Sequence, residues 1–277
     1  MQEILTFNDL NPYLLLQNGN YLYKIPYRDG WAVLKVYLGS RGFWGRIRKS
    51  LGNVLYAGQT SYMAGTRCRI EKECIALWRG HGFRVFDIYE DVVVDAPGCV
   101  PGAYVVLEYV SAPVLIDYMR DTSRPLDERF ETYSRFLKEW SRRHDMAISK
   151  REPRLVHENG DTGHVMVMDD AFVWFDFEMV YRFPSSVQEY VSHEIIQYIW
   201  NANKSLPPGL RNRFLDETIS GYPNKERLIR ACDYFFNHPN PALRYARSLD
   251  RHFRKRAKKP TSKYNVAKAV LEKIYKT

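Results

Sequence analysis

The stretch "YLLLQNGNYLYKIPYRDGWAVLKVYLG", residues 13–39, decides the fold. Asn18-Gly19-Asn20 and Asp29-Gly30 punctuate it, and such residues tolerate the positive φ of tight hairpin turns. The runs between them are apolar, aromatic and β-branched. They predict two strands within Tyr13–Tyr27 and a third over Trp31–Gly39, forming an antiparallel meander. The third strand carries Lys35 among Ala32, Val33, Leu34 and Val36. A lysine in so apolar a strand either snorkels to solvent or aims its ammonium at a specific partner.

Downstream, "RIEKECIALWRGHGF" (Arg69–Phe83) places Ile70, Cys74, Leu77 and Trp78 on one helical face, with Gly80 to Gly82 as its stop. Glu71 opens this helix and could pair with Lys35; Glu73 is the alternative. "FRVFDIYEDVVVD" and "GAYVVLEYV" read as two further strands. From "PVLIDYM" the chain turns helical, and Arg129–His144 carries a core stripe of Phe130, Tyr133, Phe136, Leu137 and Trp140. "LVHENGDTGHVMV" (Leu155–Val167) follows as a loop running into a strand. After a turn comes a strand over Phe172–Tyr181, carrying Asp176 in "WFDFE". A carboxylate flanked by aromatics asks for a cation or metal nearby, because burying it unpaired is costly. Helices are expected over Val187–Lys204, Gly209–Gly221 and Lys225–Phe236, then a basic tail. The fold class is α+β, with a β-rich part over 1–110 and a helical part over 111–277.

The 277 residues are 45% hydrophobic and 26% charged, the composition of a globular protein with a core. No apolar run approaches the roughly 18 residues of a membrane span, and the N-terminus lacks the basic start of a signal peptide. Cys68, Cys74, Cys99 and Cys232 form no CxxC pair, so reduced thiols and no zinc site are expected. The expected location is cytoplasmic. The net charge of +9 is concentrated: Arg244–Thr277 holds 12 Lys and Arg against 2 acidic residues, and the remainder is nearly neutral. Such a segment attracts anions, and an anionic membrane surface on the cytoplasmic side is one candidate. A solvated charged helix is the plainer reading. Nucleic acid is not expected, since no zinc-finger, helix-turn-helix or RNP pattern is present. "SRGFWGRIRKSLGNVLYAGQ" (Ser40–Gln59) mixes apolar and basic residues as an interfacial amphipathic helix would. An insertion packed on its own domain fits equally.

These segments, in this order, resemble the two-lobed protein-kinase-like fold, and within it the bacterial lipopolysaccharide kinases that phosphorylate Kdo and heptose. The resemblance spans roughly Tyr13 to Tyr181. It implies an antiparallel-sheet N-lobe with one main helix, a mostly helical C-lobe, and use of ATP and Mg²⁺. It further implies that Lys35 binds ATP phosphate, that Glu71 pairs with it, and that Glu108, Tyr109 and Val110 form the hinge beside adenine. Asp176 would take the metal-binding place. His157 matches the loop histidine, Asn159 the catalytic Asp, and His164 the metal-binding Asn, where the heptose kinases also resemble this chain in having His. The implied substrate is a sugar hydroxyl of a glycolipid or phosphorylated glycan.

The centre of the loop departs from the pattern. Asn159 has no useful basicity. Asp161, two residues on, could supply the missing carboxylate, or could simply cap the turn at Asn159-Gly160-Asp161. The hairpin also has one glycine, Gly19, in place of a glycine-rich loop. Two functions stay open: a phosphotransferase, and a kinase-like regulator that binds nucleotide or a partner without catalysis.

Overall fold

The computed structural model describes residues 2–37, 50, 54, 58–169, 171–238 and 240–276. Apart from residues 50, 54, 58 and 59, the expected amphipathic insertion over 40–59 lies outside these residues. In chain order the described elements begin with β1 (Glu3–Thr6), β2 (Leu14–Gln17), β3 (Tyr21–Tyr27), β4 (Gly30–Val36), α1 (Ala64–Gly80), β5 (Arg84–Val85), β6 (Val92–Asp95) and β7 (Tyr104–Glu108). They continue with α2 (Leu115–Arg120), α3 (Leu126–Lys150), β8 (Val165–Val167), β9 (Phe172–Trp174), α4 (Val187–Ser205), α5 (Pro208–Gly221), α6 (Lys225–Phe236), α7 (Pro241–Phe253) and α8 (Lys263–Lys276).

The chain forms two compact units. The first is Met1–Ala112 with Val173–Arg182; the second is Pro113–Phe172 with Phe183–Thr277. A single cut near residue 111 would assign Val173–Arg182 to the second.

In the first unit, β2-β3-β4-β7 form one antiparallel sheet. Gly19 turns the β2–β3 hairpin at φ +75°, and Asn18 N–H donates to Asn20 O at 3.0 Å. Ile25, Ala32, Leu34 and Val106 fill one face of the core. The register places Lys35 opposite Leu22 and Val105, on the face alternate to Leu34. β1 pairs in parallel with β6, a strand pair that local patterning did not reveal.

Two expected strands are shorter than read. The run over Phe83–Asp95 breaks into β5 and β6. The strand expected over Phe172–Tyr181 ends at Trp174, because Asp176 turns to φ 72°, which a strand cannot contain. α1 begins five residues before the expected start and buries Ile70, Cys74 and Trp78 at i, i+4 and i+8; Leu77 is only half-buried.

In the second unit, α3 runs from Leu126 to Lys150 and ends where Arg151 adopts φ 51°. Its stripe of Phe130, Tyr133, Phe136, Leu137 and Trp140 is buried throughout. Phe136 stacks with Tyr133 and Trp140 and meets Phe172 edge-on. The basic tail folds as α7, a short 3₁₀ turn at Lys255–Lys258, and α8. Among the described residues no helix is long and apolar enough to cross a membrane.

Phe136→Ala is expected to destabilise the second unit by about 3–5 kcal/mol, the usual cost of deleting a packed aromatic. A urea unfolding series on the full chain measures it.

Candidate functional site

In the first unit, Lys35 lies at the centre of a buried ionic cluster. Its Nζ is 2.7 Å from Glu71 Oε2, 3.2 Å from Asp176 Oδ1 and 3.5 Å from Glu178 Oε2. Lys35 and Glu71 are 5% and 2% exposed, so the ammonium does not snorkel to water. Burial alone would lower the Lys35 pKa, but Glu71, then Asp176 and Glu178, reverse this and hold it raised. Burial in turn raises the Glu71 carboxyl above its ordinary range against the pull of Lys35. The Tyr37 hydroxyl donates to Glu71 Oε2, and burial beside that carboxylate keeps the phenol protonated. Glu73, the alternative partner, is turned to the surface with Arg69.

A second cation completes the cluster. Arg67 sits one helical turn before Glu71 on α1 and is 1% exposed. Its Nη2 donates to Glu178 Oε1 at 2.6 Å and to Asn20 Oδ1. Asn20 Nδ2 donates to the other Glu178 oxygen. The hairpin turn, α1 and the Asp176–Glu178 segment are therefore tied by one network. Its two cations face three carboxylates, an excess of one negative charge. Asp176 keeps 26% of its side chain exposed and holds a left-handed backbone, which costs a non-glycine residue about 1–3 kcal/mol. Oxygen donors with surplus negative charge fit a hard divalent cation. Among the described residues no three His, Cys, Asp or Glu side chains already form a closed metal cage.

At the expected hinge, Glu108 Oε1 accepts from Arg84 Nη2 at 2.6 Å, and its backbone N–H donates to Asp87 O at 2.8 Å. The Tyr109 ring lies under the Lys24 ammonium at 4.1 Å, and Val110 is half-buried.

In the second unit, the loop Val156–His164 is held from α4. Glu194, fully buried, accepts the His157 backbone N–H at 2.8 Å and the Trp140 indole N–H at 3.0 Å, and pairs with Arg143. His157 Nδ1 lies 2.9 Å from the Tyr198 hydroxyl, and Asn201 Nδ2 donates to Gly160 O at 3.3 Å. Glu194, Tyr198 and Asn201 recur at i, i+4 and i+7, so one face of α4 carries the loop. A Cβ on Gly160 would meet the Tyr198 ring at 2.6 Å, which makes the glycine obligatory.

His164 Nδ1 is 3.1 Å from Asn159 O; a carbonyl only accepts, so Nδ1 is the donor. The two histidine rings are 5.5 Å apart. Asp161 Oδ1 accepts from Gly163 N–H at 2.9 Å and caps the 3₁₀ turn Thr162–His164. Asn159, Asp161, His157 and His164 thus share one loop, while Lys35, Glu71, Asp176 and the hinge belong to the other unit.

Sequence reading missed Asn20, Arg67, Glu178, Glu194 and Tyr198. A signal existed for three of them. Arg67 precedes Glu71 by four residues, Glu178 follows Asp176 by two, and Glu194 is an acid inside the apolar run of α4.

No family model and no curated protein matches the chain. Among solved structures, an amicoumacin kinase, hAmiN, in complex with AMP-PNP, Ca²⁺ and Ami is similar at 15% identity with a TM-score of 0.42. The alignment covers 96% of this chain and 90% of that one.

Two outcomes test this geometry. Glu194→Ala is expected to cost about 3–5 kcal/mol by leaving the Arg143 charge buried without its carboxylate; thermal melting measures it. His144, fully buried with Nδ1 2.8 Å from the Tyr222 hydroxyl, is held well below its ordinary 6.5 by burial and by Arg143. Its folded pKa is depressed, so the unfolded chain takes up a proton first. Stability is expected to fall as pH drops below about 6.5, and less so in His144→Gln; urea midpoints from pH 8 to 5 check this.

Proposed function

We propose that the chain is an ATP-dependent phosphotransferase of protein-kinase-like fold that phosphorylates a sugar hydroxyl of a lipopolysaccharide-type glycolipid. The observation that carries this reading is the buried Lys35–Glu71–Asp176 arrangement. Phosphoryl transfer needs little covalent chemistry from the protein; it needs a cation on the phosphates, a held metal and an oriented acceptor. Glu71 fixes Lys35 so that its ammonium can serve nucleotide phosphate. Asp176, held at the exposed edge of the cluster, is suited to Mg²⁺, which would neutralise charge developing on the transferred group. Glu108, Tyr109 and Val110 would lie along the adenine. In the second unit, the resemblance gives His164 a metal-binding role and the Asn159–Asp161 segment the acceptor. The glycolipid acceptor rests on the sequence resemblance to the Kdo and heptose kinases, and it places the reaction at the cytoplasmic face of a membrane.

A second reading, a nucleotide-binding regulator without catalysis, has one specific observation in its favour. Asn159 cannot take a proton, and the Asp161 carboxylate already caps a turn. The phosphotransferase reading answers that a loose transition state asks little of a general base.

The test is phosphate transfer from ATP with Mg²⁺ to lipopolysaccharide core oligosaccharide, with product identified by mass spectrometry. Lys35→Met and Asp176→Asn are expected to lose roughly 100-fold or more, the scale of removing one electrostatic contact to the transferring group. Asp161→Asn is expected to lower turnover with nucleotide affinity unchanged. Wild-type binding of Mg–ATP without transfer to any acceptor would establish the regulator instead.

A further inference from the structure

α7 is amphipathic in the reverse of the usual sense. None of its residues is buried. Tyr245, Leu249 and Phe253 recur at i, i+4 and i+8 on one face, and they are 67%, 39% and 72% exposed. The inward anchor is an arginine: Arg247 Nη1 donates to Tyr234 O and Phe235 O at 3.0 and 3.2 Å, with its guanidinium over both rings. Arg251 lies over the Phe236 ring. A helix that turns its polar side to the protein and its apolar side to water has its apolar partner outside the fold.

Beside it lies a cavity of about 520 Å³. Its lining includes Lys204, Arg256, Lys259 and Lys263 with Trp200, and Asp250 of α7 is the one carboxylate among its lining residues. Asp250 is already engaged by Arg254 at 2.9 Å. Lys263 donates to Gln197 Oε1 at 2.7 Å and sits over the Trp200 ring at 4.5 Å. Burial, and then Arg247, lower the Lys263 pKa to about 8, the sign of a cation short of counter-charge. Arg256 also lies 3.7 Å from Asp250, so one carboxylate faces the cavity's lysines and arginine, and the lining keeps a net positive charge.

We propose that α7 and this cavity form a docking surface for an anionic phospholipid bilayer. Tyr245, Leu249 and Phe253 enter the acyl boundary, and the cavity lysines and Arg256 take lipid phosphate. An exposed apolar helix face followed at once by Arg254, Lys255, Arg256, Lys258 and Lys259 is the pattern of interfacial binding. A second copy is the poorer occupant, because it would bring the same basic segment against itself. The inference does not depend on the phosphotransferase reading, and transfer to soluble oligosaccharide is expected to be unchanged in the variants below.

The test is flotation of the full chain with vesicles of phosphatidylcholine alone or with about one third phosphatidylglycerol, at ~0.1 M salt. Wild type is expected to bind the anionic vesicles and leave the neutral ones. Leu249→Ser with Phe253→Ser, and separately Lys204→Gln with Lys259→Gln, are each expected to weaken binding roughly tenfold. All four residues line the surface, so unchanged melting temperatures confirm intact folds. Equal binding to both vesicle types, no binding at all, or binding untouched by either pair would overturn the proposal. So would a wild-type dimer in sedimentation velocity that the Ser pair dissociates, since that assigns the face to a second copy.

Discussion

A lysine ammonium taken out of water inside a strand is the constraint around which the first unit is arranged. Its desolvation must be offset by carboxylates, and those carboxylates must be desolvated too. The chain meets this by drawing Glu71 from α1 and Asp176 and Glu178 from a segment about 140 residues after Lys35 in sequence. Arg67 and Asn20 then satisfy what Lys35 leaves of Glu178. The cluster thus fixes the sheet, the helix and the segment after β9 as one body. It also leaves a residual negative charge on its more exposed side, at Asp176.

The second unit repeats the logic with the sign reversed. There a buried carboxylate, Glu194, gathers donors: a guanidinium, an indole N–H and the backbone N–H of His157. The loop's own turn bonds at Asp161 and His164 are thus anchored to α4. A loop positioned by a rigid helix is how catalytic segments are commonly held.

Much of this was legible in the sequence, for identifiable reasons. The meander was legible because Asn-Gly and Asp-Gly turns are local, and the α3 stripe because period 3.6 is local. Lys35 stood out because it breaks an apolar run, and Asp176 for the same reason. The parallel β1–β6 pair was not legible, because pairing of strands about 85 residues apart leaves no local mark. The end of β9 is not legible because its residues are strand-like; the left-handed turn at Asp176 that follows it has no local sequence mark. Arg67 and Glu194 were passed over because a charged residue on a helix is solvated by default. Their burial becomes evident only when the partner is known. The apolar side of α7 was hidden by the same charge that marked the segment as basic.

Gly160 carries an implication for how this loop can vary through descent. The Tyr198 ring occupies the space that any side chain at 160 would need. That ring cannot be trimmed without removing the hydroxyl that meets His157. The three positions therefore form a covariant unit: a relative with alanine at 160 should carry a smaller residue at 198 and a different partner for the histidine. By contrast, the exposed Asn159 side chain is where lineages can diverge in chemistry while keeping the same loop, whereas Asp161 is tied to the turn it caps.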